Sequence, residues 1–219
     1  MRQGLFAALI AFATTPLGAI DLPPTDHEYT WIERQQINFE NQQILVELEP
    51  IIAKQEWEEA QEILEKAVEN DPYDNKLKGR LLTVLAESGK TQEALELAYP
   101  LLKKYPRHTP LIIYIGNLEN QIGNRDTAAK AWSYVLALPN SPDADRLYAA
   151  KSLYYQSLAT NDNQSALTSA SVWAELERSY NSNLQYASAL WKNGQPDNAL
   201  KTLEKATRLA KGPEKDQAD

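Results

Sequence analysis

Glu56-Trp57-Glu58-Glu59-Ala60-Gln61-Glu62-Ile63-Leu64-Glu65-Lys66-Ala67-Val68-Glu69-Asn70-Asp71-Pro72 is the stretch from which the fold is read. An alanine falls early in a helical pattern, a large apolar residue stands four positions on, and Asp71-Pro72 closes the segment. Looser copies follow, with their early alanines at Ala94, Ala128, Ala166 and Ala199. Successive spacings are 34, 34, 38 and 33 residues. A period near 34 with only helical patterning predicts a stacked array of helix hairpins. In such an array each unit buries its face against its neighbours.

The chain has 219 residues, 22 basic and 30 acidic, for a net charge of −8. Residues 1–19 hold one arginine and no acid, so the remainder carries −9. Long-range electrostatics therefore disfavour nucleic acid and anionic membrane surfaces as partners. With no cysteine, a disulfide framework, a thiolate metal site and a cysteine nucleophile are excluded.

Met1-Arg2-Gln3 is a short basic start, Gly4 to Ala13 is an uncharged and mostly apolar run, and Thr14-Thr15-Pro16 breaks it. Leu17-Gly18-Ala19 then offers small residues for a cut after Ala19. This is the three-part layout of a secretory leader, and the apolar run is about half the ~20 residues a membrane anchor needs. The sequence thus predicts a signal peptide over 1–19, no transmembrane segment in the mature chain, and a periplasmic or secreted location. An extended linker over 20–28 follows, with Pro23-Pro24.

A helical array is expected over 29–211. Its first segment, Tyr29 to Leu48, reads as an N-terminal helix running into the first hairpin. Pro50 must kink that helix or start a new one. Hairpin one closes with Trp57–Glu69, and hairpin two pairs Lys76–Glu87 with Thr91–Lys104. Hairpin three pairs Thr109–Gln121 with Arg125–Leu138. Asp143–Ala159 and Gln164–Arg178 form hairpin four, and Ser182–Lys192 with Pro196–Ala210 form hairpin five. Thr109-Pro110 and Ser141-Pro142 read as N-cap hydroxyls before a proline. In the last helix Ala199, Leu200, Leu203, Ala206 and Ala210 form one stripe opposite Lys201, Glu204, Lys205 and Arg208, which reads as a terminal helix with a wet outer face. A disordered tail is expected over 212–219.

These units resemble tetratricopeptide repeats over roughly residues 41–211. That family favours small residues at positions 8, 20 and 27, a large one at 24 and proline at 32. Gly116 and Ala187 match at 8, and all five alanines match at 20. Leu64, Trp132 and Leu203 match at 24, Ala67 and Ala206 at 27, and Pro72 and Pro106 at 32. Leu48 and Leu82 depart at the small position 8, and hairpin four lacks a glycine turn. Its 38-residue spacing is met by one extra helical turn between Ala150 and Ala166.

The resemblance implies an all-α, right-handed α-solenoid of about five hairpins. It also implies that the first helix of each hairpin lines a concave groove. That lining comprises Lys76, Thr83, Ala86 and Glu87 in hairpin two, and Ile113, Asn117, Asn120 and Gln121 in hairpin three. In hairpin four it is Lys151, Tyr154 and Tyr155, and in hairpin five Leu184, Ser188, Trp191 and Lys192. Amides pair with peptide backbone and aromatics give contact area at low entropic cost, so an extended peptide or partner protein is the expected ligand. The carboxylate clamp of some family members does not fit. Lys76 and Arg80 precede Asn117 instead of following it, and Leu45 and Glu49 stand where that clamp wants a cation and an amide.

No constellation for chemistry is found. His27 and His108 are far apart with no second ligand at metal spacing. Glu56, Glu58, Glu59, Glu62 and Glu65 spread over one helix surface beside Lys66, as on a solvated face. No phosphate-cradling loop or nucleophile elbow occurs. The reading is a non-catalytic scaffold of the cell envelope, with no cofactor and no metal. The alternative is an accessory subunit of an envelope enzyme or export assembly, docking through its convex or terminal surface.

Overall fold

The structure is a computed structural model that describes residues 31–210, with side chains from Gln36 onward. The expected leader over 1–19, the linker, His27 and the tail over 212–219 lie outside the described residues. Ten helices and no strand occur among the described residues. They are α1 (Trp31–Ala53), α2 (Trp57–Asn70), α3 (Asn75–Glu87), α4 (Thr91–Lys104) and α5 (Thr109–Gln121), then α6 (Arg125–Ala137), α7 (Asp143–Thr160), α8 (Asn163–Glu177), α9 (Tyr180–Lys192) and α10 (Pro196–Leu209). The chain divides into two compact units, one ending at Gly123 and one beginning at Asn124. Within each unit the helices pack on their sequence neighbours.

α2 shows how the repeat pattern makes a helix. Ala60, Leu64 and Ala67 lie on one face and are buried, while Glu62 and Lys66 pair at 2.7 Å in solvent. Apolar burial supplies the stability, and the exposed ion pair adds little. Pro50 sits inside the last turn of α1, which continues unbroken to Ala53. Proline there leaves the carbonyl four residues earlier without its helical donor.

The hairpin turns explain the spacing of the alanines. Gln55, Gly89, Gly123, Asn161 and Gly194 all have positive φ, between 58° and 87°, and recur at the same 34, 34, 38 and 33 residues. Each reverses the chain after the first helix of its hairpin. Asn161 takes the glycine's place in hairpin four, since asparagine tolerates the left-handed region better than most side chains. α7 has 18 residues where α3, α5 and α9 have 13, so the extra turn of hairpin four lies within its first helix.

Side-chain caps fix the starts of several helices. Asp74 accepts from the amides of Lys76 and Leu77 at 2.7 and 3.0 Å, and Asp162 accepts from Ser165 at 3.0 Å. Ser179 and Ser182 form a capping box at 3.0 and 3.1 Å. Each such cap contributes about 1 kcal/mol. Three expectations are corrected here. The N-cap of α5 is His108, whose Nδ1 accepts from the Leu111 amide at 3.3 Å, and not Thr109. Ser141 turns its hydroxyl back to the carbonyls of Val135 and Leu138 at 2.9 and 3.0 Å, closing α6 instead of capping α7. Ser182 is the third residue of α9, which starts at Tyr180.

The first unit buries aliphatic side chains: Leu48, Leu64, Leu77, Leu82, Leu111 and Leu118 have no exposed surface. Leu48 and Leu82 depart from the small-residue position and are nonetheless at the centre. They share one cluster with Ala60, Ala67, Ala94 and Ala98, whose short side chains leave them room. The second unit is built differently, from Tyr154 and Trp173 set among Ala150, Ala166, Ala170 and Ala189. The apolar stripe expected on α10 is only half covered. Ala199 and Ala206 are buried, while Leu200 and Leu203 stand 55% and 39% exposed.

Candidate functional site

Three of the expected groove residues do not line a surface. Thr83 is buried, its hydroxyl donating to the Gly79 carbonyl at 3.0 Å within α3. Ile113 is buried as well. Tyr154 is 1% exposed, and its hydroxyl donates to Gln185 Oε1 at 2.8 Å, tying α7 to α9. The cause in hairpin four is the extra turn in α7, which makes a position-by-position transfer from 34-residue units inexact there.

In the first unit Lys76, Glu87, Asn120 and Gln121 are exposed and Asn117 is half-buried. Arg80, beside them, pairs with Glu49, so its charge is already matched. The rejected clamp therefore meets an occupied cation as well as the wrong order of residues. Asn41, midway along α1, and Asn75, the first residue of α3, perform a task that sequence reasoning missed. Asn41 Nδ2 donates to Asp71 Oδ2 and to Asp74 Oδ2, both at 2.9 Å, and Asn75 Nδ2 donates to the Tyr105 hydroxyl at 2.7 Å. The bonds to Asp71 and Tyr105 tie a hairpin's first helix to the residue that closes its second, and the bond to Asp74 ties α1 to the N-cap of α3. The 34-residue spacing of the two asparagines was the available signal.

In the second unit Ser188, Trp191 and Lys192 of α9 are exposed, and Lys151 and Tyr155 of α7 are half-buried. Lys151 pairs with Glu177 and lies 5.2 Å from the centroid of the Trp173 ring. Trp173 Nε1 donates to Glu177 Oε2 at 2.9 Å, and the Ser179 hydroxyl donates to Oε1 at 2.9 Å. Burial alone would raise the Glu177 carboxyl, but the donors Lys151, Trp173 and Ser179 outweigh it and hold the group below its ordinary value. Tyr154, Tyr155 and Trp173 form a triangle with ring centroids 5.4 to 5.8 Å apart. Burial first, and Tyr155 second, push the Tyr154 hydroxyl up to about 12.

Trp191 is 64% exposed, with Lys192 beside it near the end of α9. An exposed tryptophan next to a cation is a surface suited to contact with another chain. Among the described residues no group of three His, Cys, Asp or Glu is placed to hold a metal, and no helix is long and apolar enough to cross a membrane. His108 is engaged as a helix cap. What the arrangement offers is contact area, amides and a few charges.

No protein-family model matches the chain, and no curated protein matches it. Solved structures do. The chain is similar to MamA, with a TM-score of 0.59 at 15% identity over 75% of this chain and 90% of that one. MamA from Desulfovibrio magneticus RS-1 aligns with a TM-score of 0.58 at 14% identity, covering 77% and 93%. Another MamA crystal structure gives 0.58 at 16%, covering 73% and 91%. At such identities the likeness is one of fold, a helix-hairpin repeat of the tetratricopeptide type.

Proposed function

We propose that the chain is an exported, non-catalytic interaction scaffold of the cell envelope that holds a peptide segment or partner protein against the first helices of its hairpins. The observation that carries this reading is Trp191, a large aromatic left 64% exposed on α9. Tryptophan is highly buried on average, and it is over-represented among the residues that dominate binding energy. Ser188 and Lys192 flank it, and Asn117, Asn120 and Gln121 give the first unit amide donors and acceptors for a peptide backbone. The leader-like residues 1–19 and the acidic remainder support export and a protein partner over nucleic acid.

The test is site-specific photo-crosslinking in intact cells, with the reactive side chain placed at Asn120 or Trp191 and, for comparison, at Glu62 or Lys103. Adducts from the first pair are expected. Adducts confined to Glu62 and Lys103 would instead favour the second reading, an accessory subunit docking by its second-helix surface. One observation supports that alternative: α6, α7 and the start of α8 enclose a groove on the second unit.

A further inference from the structure

Successive hairpins meet by a second helix packing on the next first helix: α2 on α3, α4 on α5, α6 on α7 and α8 on α9. Two helices lack such a neighbour. α1 is a first helix with no described helix before it, and α10 is a second helix with none after it. Both hold apolar side chains in water. On α1, Phe39 and Val46 are 63% and 71% exposed and share a face with Gln43 and Pro50, opposite the buried Asn41 and Leu48. On α10, the exposed Leu200 and Leu203 share a face with Pro196 and Thr207. The two stripes have the same spacing along their helices. Their charges differ in sign. From Gln36 to Ala53 there are three glutamates and no basic residue; Glu49 pairs with Arg80, while Glu40 and Glu47 stand exposed to one side of the stripe. On α10 the exposed Lys201, Lys205 and Arg208 outnumber Asp197 and Glu204. Residues 211–219 offer no large apolar side chain to cover the α10 leucines.

We propose that α10 of one copy of this chain docks on α1 of another, so that the protein associates with itself head to tail. The contact continues between copies the order that the chain uses within itself, a second helix against a first helix. Leu200 and Leu203 meet Phe39 and Val46 and take this apolar surface out of water. The acidic flank of α1 meets the excess positive charge of α10, which favours this pairing over α1 on α1, where Glu40 and Glu47 would face their own copies. Because two different surfaces meet, each added copy leaves one of each kind free, and the contact is heterologous. The inference goes beyond the scaffold reading and does not depend on what Trp191 contacts.

Sedimentation velocity on the full chain at rising concentration tests this. The parent should form dimers and larger species, and added salt should weaken them. Phe39→Ser with Val46→Ser, and separately Leu200→Ser with Leu203→Ser, should each weaken association about tenfold or more while helical circular dichroism is kept. Should the leucine pair not fold, Lys201→Glu with Lys205→Glu takes its place, since both lysines are exposed. The decisive sample mixes the two variants. One keeps an intact α10 and the other an intact α1, so the mixture should form a heterodimer at concentrations where each variant alone is monomeric. A parent monomeric up to about 300 μM would overturn the proposal and leave the stripes to a different protein or to residues 1–30. Association lost in the α1 variant but kept in the α10 variant would overturn it in favour of α1 on α1. Association untouched by either variant, as through the apolar residues 4–13, or a mixture that stays monomeric, would overturn it as well. Crosslinking from Asn120 or Trp191 to a different protein is unaffected by any of these results, so the two failures are distinguishable.

Discussion

In the first unit, six leucines without exposed surface make the core, and Asn41 and Asn75 each end in hydrogen bonds that tie a hairpin to its own closing residue. In the second, one cluster is alanine around Tyr154 and Trp173, with Trp132, Val135, Leu153 and Leu190 also buried; Gln156, Ser157, Ser169, Ser182 and Asn183 are buried there, as Asn41, Asp71, Asn75, Thr83, Thr109 and Glu119 are in the first. Among the described residues, the three sealed polar side-chain atoms that lack a partner, Trp132 Nε1, Gln156 Oε1 and Asn183 Oδ1, all belong to the second unit. One repeat period thus serves two interiors, which bury polar side chains alike and differ in whether every sealed polar atom is matched. The Trp191 side of α9 and the α6–α8 groove both belong to that less satisfied half.

The largest effect should come from the leucine core. Leu82→Ala is expected to cost about 3 kcal/mol, because the cluster around it cannot collapse into the vacated space. Urea unfolding measures this, and a loss under about 1 kcal/mol would show that the first unit is not close-packed.

The next contrast sets one buried asparagine against another. Asn41→Leu removes the donor shared by Asp71 and Asp74 and should cost about 2 kcal/mol. Asn183→Leu removes an amide whose oxygen already lacks a partner. The Ser179 carbonyl, which loses the Asn183 Nδ2 donor, keeps those from Ser182 Oγ and from the backbone N–H of residue 183. That change should therefore stay within about 0.5 kcal/mol of the parent. Equal costs at the two sites would erase the distinction between the units.

Acid should act on the second unit through Glu177. Its carboxyl is held below the ordinary 4.5 in the folded chain, so its contribution is fully present above that pH and is lost as pH falls through the folded value. Breaking the pair with Lys151→Met should remove about 1 kcal/mol at neutral pH, discounted for partial exposure, and flatten this acid dependence. Thermal melts at pH 7 and at stepwise lower pH, on parent and variant, read both effects.

The smallest effect lies in the turns. Gln55 holds a left-handed conformation at φ 61° that costs a non-glycine residue about 1 kcal/mol, so Gln55→Gly should raise stability by about 0.5 kcal/mol. Asn161→Gly should gain less, since asparagine already tolerates that region.

The hairpins were legible in the sequence because their signals are local. An alanine recurs at a fixed phase, a turn breaks each pair, and the 38-residue spacing locates an added helical turn that α7 indeed contains. The rotation of each helix about its axis was less legible. Thr83 follows Leu82, a large residue at a position expected to be small, and Tyr154 follows the extra turn, so both fell inside where the transferred pattern set them at the surface. The Lys151–Glu177 pair joins residues on different helices, and nothing in the spacing of either announces it. Caps misled for a related reason. Thr109 and Ser141 are good cap residues, but His108 and the end of α6 competed for the same turns. The Trp191 surface was legible as an aromatic near the end of α9, but the α6–α8 groove needs three helices in place before it exists.

Native-state amide hydrogen exchange on the full chain tests the contrast between the units most directly. The slowest amides of α3 and α5 should outlast those of α7 and α9 by about tenfold or more, which corresponds to roughly 1.4 kcal/mol of local opening. Protection in α7 and α9 equal to or longer than that in α3 and α5 would contradict the account, for the unmatched polar interior would then carry no penalty.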